Sequence, residues 1–284
     1  MGQLPLDHFT VAVIDEAGQA LEVACWGALL QAPRCILAGD HLQLPPTIVS
    51  EKAARAGLAN TLLERAVDVI GQQFVCLLNT QYRMHNLIMQ WSSLHLYKGL
   101  LVAADSVKEH RLCDLPGVVS DHNTTAPVIF IDTASCGFEE NHTDEHGSRS
   151  NLGEVELICL HIKELVASGV FPALIGVITP YNLQVEHLRS SIGTQWPDIE
   201  IKSVDGFQGR EKEVILISLV RSNVRRAVGF LSDYRRINVA LTRARRHLLI
   251  VGYMHIYISL SIYNYNYNFK YVVCCTPIGF IVNE

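Results

Sequence analysis

Eight short apolar runs rich in β-branched residues recur along this chain, separated by turns and by stretches with helical spacing, and that alternation limits the fold more than any other feature. The runs are Val11–Asp15, Cys35–Ala38, Phe74–Leu78, Val128–Asp132, Leu174–Thr179, Ile199–Val204, Glu213–Val220 and His247–Val251. Most are nearly continuous in apolar character, as expected of strands covered on both faces. Helices are predicted over Ala20–Gln31, Glu51–Ile70, His85–Tyr97, Asn151–Ser168, Asn182–Ile192 and Asp233–Arg245. In the helix from Asn151, residues Val155, Ile158, Ile162, Leu165 and Val166 share one face. The pattern predicts an α/β fold of parallel sheets with flanking helices. At 284 residues and 49% hydrophobic, the chain can build one large or two medium domains.

The formal net charge is −5, so global charge does not mark a nucleic-acid binder. Local charge does: eight arginines fall between Arg221 and Arg246, a stripe able to hold phosphates. The eight cysteines include no C-x-x-C pair, and several sit in apolar runs, so they read as reduced core thiols rather than zinc ligands. Asp132 to Ser150 is polar and acidic and reads as an exposed loop. Its His142, Asp144, Glu145 and His146 imitate a metal site, but a solvated loop explains them as well. The start, Met1-Gly2-Gln3-Leu4-Pro5, lacks a basic or apolar signal region, so a cytoplasmic or nuclear location is expected, with no membrane partner. From Tyr253 to Glu284 the chain repeats Tyr and Asn without helical or alternating logic. These residues have A/T-rich codons, and the segment is expected to be disordered, or translated non-coding sequence.

Two polar punctuations carry the chemistry. Val11-Ala12-Val13-Ile14 ends in Asp15-Glu16-Ala17-Gly18-Gln19. A carboxylate at the C-terminal tip of a parallel strand lies where ligands bind. Asp15 there can hold Mg²⁺ through water, and Glu16 can orient or deprotonate an attacking water. Taken alone, the pair is equally an ordinary strand-to-helix turn. The next predicted strand, Cys35–Ala38, runs into Gly39-Asp40-His41-Leu42-Gln43-Leu44-Pro45-Pro46-Thr47. A Gln in such a turn can contact a γ-phosphate, and the two prolines stiffen the chain beyond it.

With Gln81-Tyr82-Arg83-Met84-His85, Ser203-Val204-Asp205-Gly206-Phe207-Gln208-Gly209-Arg210-Glu211-Lys212-Glu213 and Arg235-Arg236-Ile237-Asn238-Val239-Ala240-Leu241-Thr242-Arg243-Ala244-Arg245 in order downstream, the chain resembles the superfamily 1B helicases related to the nonsense-mediated-decay helicase. The five segments match motifs II, III, IIIa, V and VI, and the likeness covers roughly residues 5 to 252. Detail around Cys25-Trp26, His41, Tyr181–Val185 and Gly229–Leu231 points to the immunoglobulin mu-binding branch. The resemblance implies ATP and Mg²⁺ as cofactors and single-stranded DNA or RNA as partner, together with ribosome- or RNA-processing-associated factors.

It also implies roles. Asp15 and Glu16 would hold the metal and activate water, with Gln19 beside the nucleotide, and Gln43 would sense the γ-phosphate. Tyr82 would lie by the base, Arg83 and Arg243 would act as arginine fingers, and Gly209 and Glu211 would sit near the nucleotide. Guanidinium forks suit the charge spread over a transferring phosphoryl group. Pro45, Pro46, Thr179, Pro180, Tyr181, Ser203 and Asp205 would contact the nucleic-acid backbone, independently of base sequence. Tyr181 can equally be a packing aromatic.

The implied organisation is the C-terminal half of a RecA-like first domain over 1–78, a RecA-like second domain over 79–252, and the atypical tail. Family members begin with a Gly-rich loop ending in Gly-Lys-Thr or Gly-Lys-Ser that cradles the phosphates. No Gly-Lys dipeptide occurs here, and none of the seven lysines lies in such a loop. The expectation is a 5′-to-3′ helicase core lacking the front of its first motor domain, inactive alone. The alternatives are a non-catalytic nucleic-acid-binding or regulatory short form, and a metal-dependent nuclease using Asp15 and Glu16. The motif order disfavours the nuclease.

Overall fold

The computed structural model describes residues 8–134, 136–142, 148–223, 228–253, 270–276 and 279–283. The chain divides into two compact units, 1–78 and 79–284.

The first unit is a small βαβ piece. Strand β1 (Ala12–Ile14) pairs in parallel with β2 (Cys35–Leu37), Ile14 lying opposite Leu37. Helix α1 (Glu22–Leu29) connects them. Glu22 in its first turn binds Arg65 and accepts from Trp26 Nε1 at 3.0 Å, joining α1 to a later helix. The helix expected over Glu51–Ile70 is broken. α2 (Glu51–Ala53) passes into a π-turn over Ala54–Leu58, where Gly57 takes φ 101° and ends the helical path. α3 (Leu62–Ile70) restarts on a capping box, in which Thr61 and Glu64 satisfy each other's backbone N–H groups. The strand predicted at Phe74–Leu78 does not form. Phe74 closes a 3₁₀ turn and the rest is irregular.

The second unit opens with β3 (Thr80–Gln81), α4 (Asn86–Leu96) and β4 (Val102–Ala103), then builds a large sheet. Its further elements are β5 (Val128–Asp132), a small ribbon of β6 (Asn141–His142) and β7 (Arg149–Ser150), α5 (Leu152–Ala167) and β8 (Ile175–Thr179). They continue with α6 (Asn182–Ile192), β9 (Glu200–Ser203), β10 (Lys212–Ser218), α7 (Tyr234–Leu241), β11 (Ala244–Gly252), β12 (Lys270–Thr276) and β13 (Gly279–Asn283). The sheet order is β13-β12-β5-β11-β10-β8-β9, with only β13 antiparallel to its neighbour.

β5, β8 and most of β10 and β11 are buried, as their continuous apolar runs require. α5 and α6 pack through Val155, Ile158, Ile162, Leu165, Leu188 and Ile192 against Ile129, Val177, Leu216 and Leu249. Two expectations change here. The helix predicted to run to Arg245 ends at Leu241, because Ala244 pairs with Lys212 and starts β11. The tail expected to be disordered adds two strands at one side of the sheet, β12 pairing with β5 and β13 forming the edge. Residues 254–269 lie outside the described residues.

Candidate functional site

Strand β1 delivers Asp15 to the surface at its C-terminal tip. Glu16 follows with φ 53°, the left-handed region uncommon for a residue with a Cβ. The turn is held by Glu16 N–H donating to Asp15 Oδ1 at 2.9 Å and Gln19 Nε2 donating to Glu16 Oε2 at 2.7 Å. The second loop presses against it: Ala17 N–H donates to Ala38 O at 2.8 Å. A Cβ on Gly18 would stand 2.7 Å from Asp40 O, and one on Gly39 would stand 2.8 Å from Ala17 N. Two glycines therefore let the Asp15–Gln19 and Gly39–Gln43 turns touch backbone to backbone. Gln43 Nε2 donates to Asp40 Oδ2 at 2.9 Å, which fixes its amide beside that loop. Pro45 is half-buried and Pro46 buried, so Pro46 stiffens the loop more than it offers a contact.

In the second unit, three sequence-distant segments meet at the N-terminal ends of β10 and β11. Gln81 shapes the first: its Oε1 accepts the N–H groups of Arg83 and Met84 at 2.8 Å each, and its Nε2 donates to Met84 O at 2.8 Å. His85 N–H donates to Arg245 O at 2.8 Å and docks that segment on β11. Burial holds the His85 pKa down to about 4, leaving Nδ1 free to accept from Leu87 N–H and cap α4.

Arg83 thereby reaches Glu211, and its Nη1 donates to Thr242 O at 3.1 Å. Arg245 lies 3.6 Å from Glu211 and 3.4 Å from Glu213. Lys212 N–H donates to Arg243 O at 3.1 Å, so the last two segments also share a backbone bond. Arg243 itself is buried, with Nε on Val239 O at 2.9 Å and Nη2 on Thr242 Oγ1 at 3.0 Å. Gly209, at φ 72°, and Tyr82 are exposed.

The predicted nucleic-acid residues gather at the opposite end of the sheet. Thr179 and Ser203 are direct register partners at the C-terminal ends of β8 and β9. Thr179 and Pro180 are buried, which leaves Tyr181, Ser203 and Asp205 as the residues that present surface there. Thr179 Oγ1 has no hydrogen-bond partner among the described residues. Ser203 Oγ accepts from Gly206 N–H at 3.3 Å, and Asp205 lies 3.8 Å from Arg236. Strands here rise about 3.3 Å per residue, so the two ends lie roughly 20 Å apart. The chain between Ser203 and Lys212 crosses that distance. Phe207 is fully buried on the way, and a Cβ on Gly176 would stand 2.6 Å from its ring.

Sequence reading missed the polar network buried beneath Tyr181. Gln184 accepts from Asn151 N–H at 2.9 Å and donates to Ser218 Oγ at 2.9 Å. Glu154 Oε2 accepts from Ser218 Oγ at 2.7 Å and from Val220 N–H at 2.9 Å. Burial raises the Glu154 pKa to about 7. The available signal was a lone Gln and a lone Glu on otherwise apolar helix faces.

The arginine stripe is not an open basic face. Arg221, Arg235, Arg236, Arg245 and Arg246 each have a carboxylate partner. Arg225 and Arg226 lie outside the described residues. The loop from Asp132 is pinned rather than freely exposed, since Glu140 is largely buried against Arg149 and Arg221. Asp144, Glu145 and His146 lie outside the described residues, and among those described no group of three or more His, Cys, Asp or Glu could hold a metal. Cys25 is buried as expected, whereas Cys35 and Cys76 are exposed. No described helix is long and apolar enough to cross a membrane.

A parallel α/β sheet carrying these ordered motifs fits the helicase family, and the comparisons agree. Residues 58–255 and 3–51 match two family models, each described as an AAA domain. The chain belongs to the superfamily 1B helicase family. It is 54% identical over 248 residues to the DNA-binding protein SMUBP-2 of Mesocricetus auratus, covering 87% of this chain and 25% of that one. It is 42% identical to the DNA polymerase alpha-associated DNA helicase A of Schizosaccharomyces pombe, covering 88% and 38%. To the regulator of nonsense transcripts 1 homolog of Drosophila melanogaster it is 38% identical, covering 88% and 21%. The chain thus spans about a quarter of the length of the SMUBP-2 relatives it matches.

Proposed function

We propose that this chain carries the γ-phosphate-facing half of a 5′-to-3′ helicase motor, one that couples ATP hydrolysis to movement along single-stranded DNA or RNA. The observation that carries the reading is the separation of two sites on one sheet. Arg83, Glu211, Arg243 and Arg245 lie at the N-terminal ends of β10 and β11, while Thr179, Tyr181, Ser203 and Asp205 lie at the C-terminal ends of β8 and β9. The segment from Ser203 to Glu211 physically joins them, so a displacement at one end has a direct path to the other.

Mg²⁺ commonly binds through one or two carboxylates, with the remaining positions filled by phosphate oxygens and water. Asp15 and Glu16 are exposed and, among the described residues, belong to no group of three or more possible metal ligands, which fits that donor set. Mg²⁺ held there would polarise the phosphoryl group of a bound nucleotide for an attacking water. Glu16, positioned by Gln19, would accept the proton of that water. In the second unit Arg83, held by Glu211, is the arginine that the motif assigns to phosphate charge. Charge-assisted hydrogen bonds to phosphate are worth about 1.5–3 kcal/mol each. Without any Gly-Lys dipeptide the chain forgoes several of them, and it is expected to show no ATP turnover by itself.

That same omission favours a second reading, a nucleic-acid-binding product without catalysis. Fluorescence anisotropy with a labelled single-stranded oligonucleotide tests the half both readings share. Binding is expected to weaken for Ser203→Ala and Tyr181→Ala, and to be unaffected by Arg83→Ala at the far end. Equal loss from all three would refute the two-ended arrangement.

A further inference from the structure

Immediately after β10 the chain makes an unusual turn. Arg221 N–H donates to Leu219 O at 2.7 Å, closing a three-residue γ-turn around Val220, whose φ is 68°. A β-branched residue in the left-handed region is a strained outlier, and such strain persists only where the surroundings over-determine it. Here they do. Val220 N–H is held by Glu154 at 2.9 Å and Val220 O by Asn151 Nδ2 at 3.3 Å.

The turn aims Arg221 back over the sheet end. Its side chain is 6% exposed. Nε donates to Glu140 Oε2 at 2.8 Å, and Nη1 lies 3.4 Å from the Tyr181 hydroxyl. The chain then returns at Gly229, where φ is 63°. A Cβ there would stand 2.0 Å from Arg221 Nη1 and 2.8 Å from Tyr181 Oη. Two segments, at Arg221 and Gly229, thus converge on the hydroxyl of Tyr181, 40 residues before Arg221, and the second approaches closely because it has no side chain.

We infer that Arg221 is a positioning residue for nucleic-acid binding: strung between Glu140 and Tyr181 under the bare backbone of Gly229, it fixes the tyrosine ring at the single-strand site. This rests on the reading of Tyr181 as a nucleic-acid contact. The low exposure of Arg221 leaves its guanidinium little room to meet a phosphate itself, so its effect passes through Tyr181. A Lys cannot replace it, because one ammonium cannot span Glu140 and Tyr181 in the planar geometry of the Arg fork.

The test is oligothymidylate binding by the full chain across a salt series. Tyr181→Phe, Arg221→Lys and Arg221→Met are each expected to weaken binding by about three- to tenfold, the scale of one lost polar contact. The slope of log K against log salt should stay unchanged, whereas loss of a direct phosphate contact reduces it by about one. In a Tyr181→Ala background Arg221→Met should add nothing. Gly229→Ala, whose Cβ would crowd Arg221 Nη1 and Tyr181 Oη, should reproduce the loss, and thermal melts of every variant separate it from a folding defect.

Rescue by Arg221→Lys, a reduced salt slope, or an additive effect in the Tyr181→Ala background would overturn the positioning role while leaving the site intact. Unchanged binding in Tyr181→Ala, or no binding by the wild-type chain, would instead overturn the reading of Tyr181 on which the proposal stands.

Discussion

Both units carry helicase motifs, yet only the second builds an extensive apolar core around them. In the first unit the buried hydrophobic residues are Ala17, Cys25, Leu44 and Leu62, while Val13 and Ile36, on its two paired strands, are 65% and 57% exposed. In the second unit Ile175, Val177, Val214, Leu216 and Leu249 lie fully buried in adjacent strands. A strand sequence rich in Val and Ile does not ensure burial; neighbours on both sides of the sheet do. In the first unit close backbone packing through Gly18 and Gly39 holds the motif turns together, with little apolar burial behind them.

The sharpest way to break this contrast is to cut a buried leucine from the second unit's sheet. Leu216→Ala in β10 should cost about 2–5 kcal/mol, the range for a buried leucine that leaves a cavity. Urea denaturation followed by fluorescence would show it as a lowered midpoint. A loss below about 1 kcal/mol would mean the second unit's sheet is less tightly packed than its burial implies.

Glu154 gives a pH-dependent version of the test. Its pKa is raised to about 7 in the folded state, above the ordinary value of 4.5. Its contribution to stability is therefore complete below about pH 4.5 and is lost as pH rises through 7. Glu154→Gln keeps an acceptor for Ser218 and Val220 without the ionisation. The variant should gain roughly 3 kcal/mol relative to the parent between pH 4.5 and pH 8. His247, held down to about 4 by burial, opposes this trend in both proteins. Only the difference between their stability–pH curves isolates Glu154, and a pH-independent difference would contradict its buried, raised-pKa assignment.

In the first unit the corresponding weak point is backbone contact. Gly18→Ala would force Asp40 O away from 2.7 Å and should cost about 1–3 kcal/mol, the usual penalty of overpacking. Hydrogen exchange should report it locally, with faster exchange at Ala17 and Ala38 and no change in β10. The smallest effect belongs to the exposed apolar positions: Val13→Thr should alter stability by no more than about 0.5 kcal/mol. A destabilisation of several kcal/mol by calorimetry would mean that strand is covered after all.

Much of the sheet was legible because each inner strand announces itself locally. Strand Val128–Asp132 and helix Asn182–Ile192 match their predicted spans, and β8, β10 and β11 differ only at their ends. Phe74–Leu78 failed because apolar character alone cannot supply a partner strand. The helix predicted over Asp233–Arg245 stops at Leu241 because pairing of Ala244 with Lys212, 32 residues away, overrides helical spacing. For the site, the sequence named Arg83 and Glu211 but not that they pair. It named Tyr181 but not the buried support from Glu154, Gln184 and Arg221. Those links join residues 33 to 128 positions apart, a distance no local pattern spans.

The central claim is that this chain holds functional arms for both nucleotide and single strand but cannot turn over ATP by itself. The direct test is to measure oligonucleotide binding and oligonucleotide-stimulated phosphate release on the same purified sample. The expected result is saturable, salt-sensitive binding with no phosphate release above background. Stimulated release by the wild-type chain, abolished by Glu16→Gln, would contradict it.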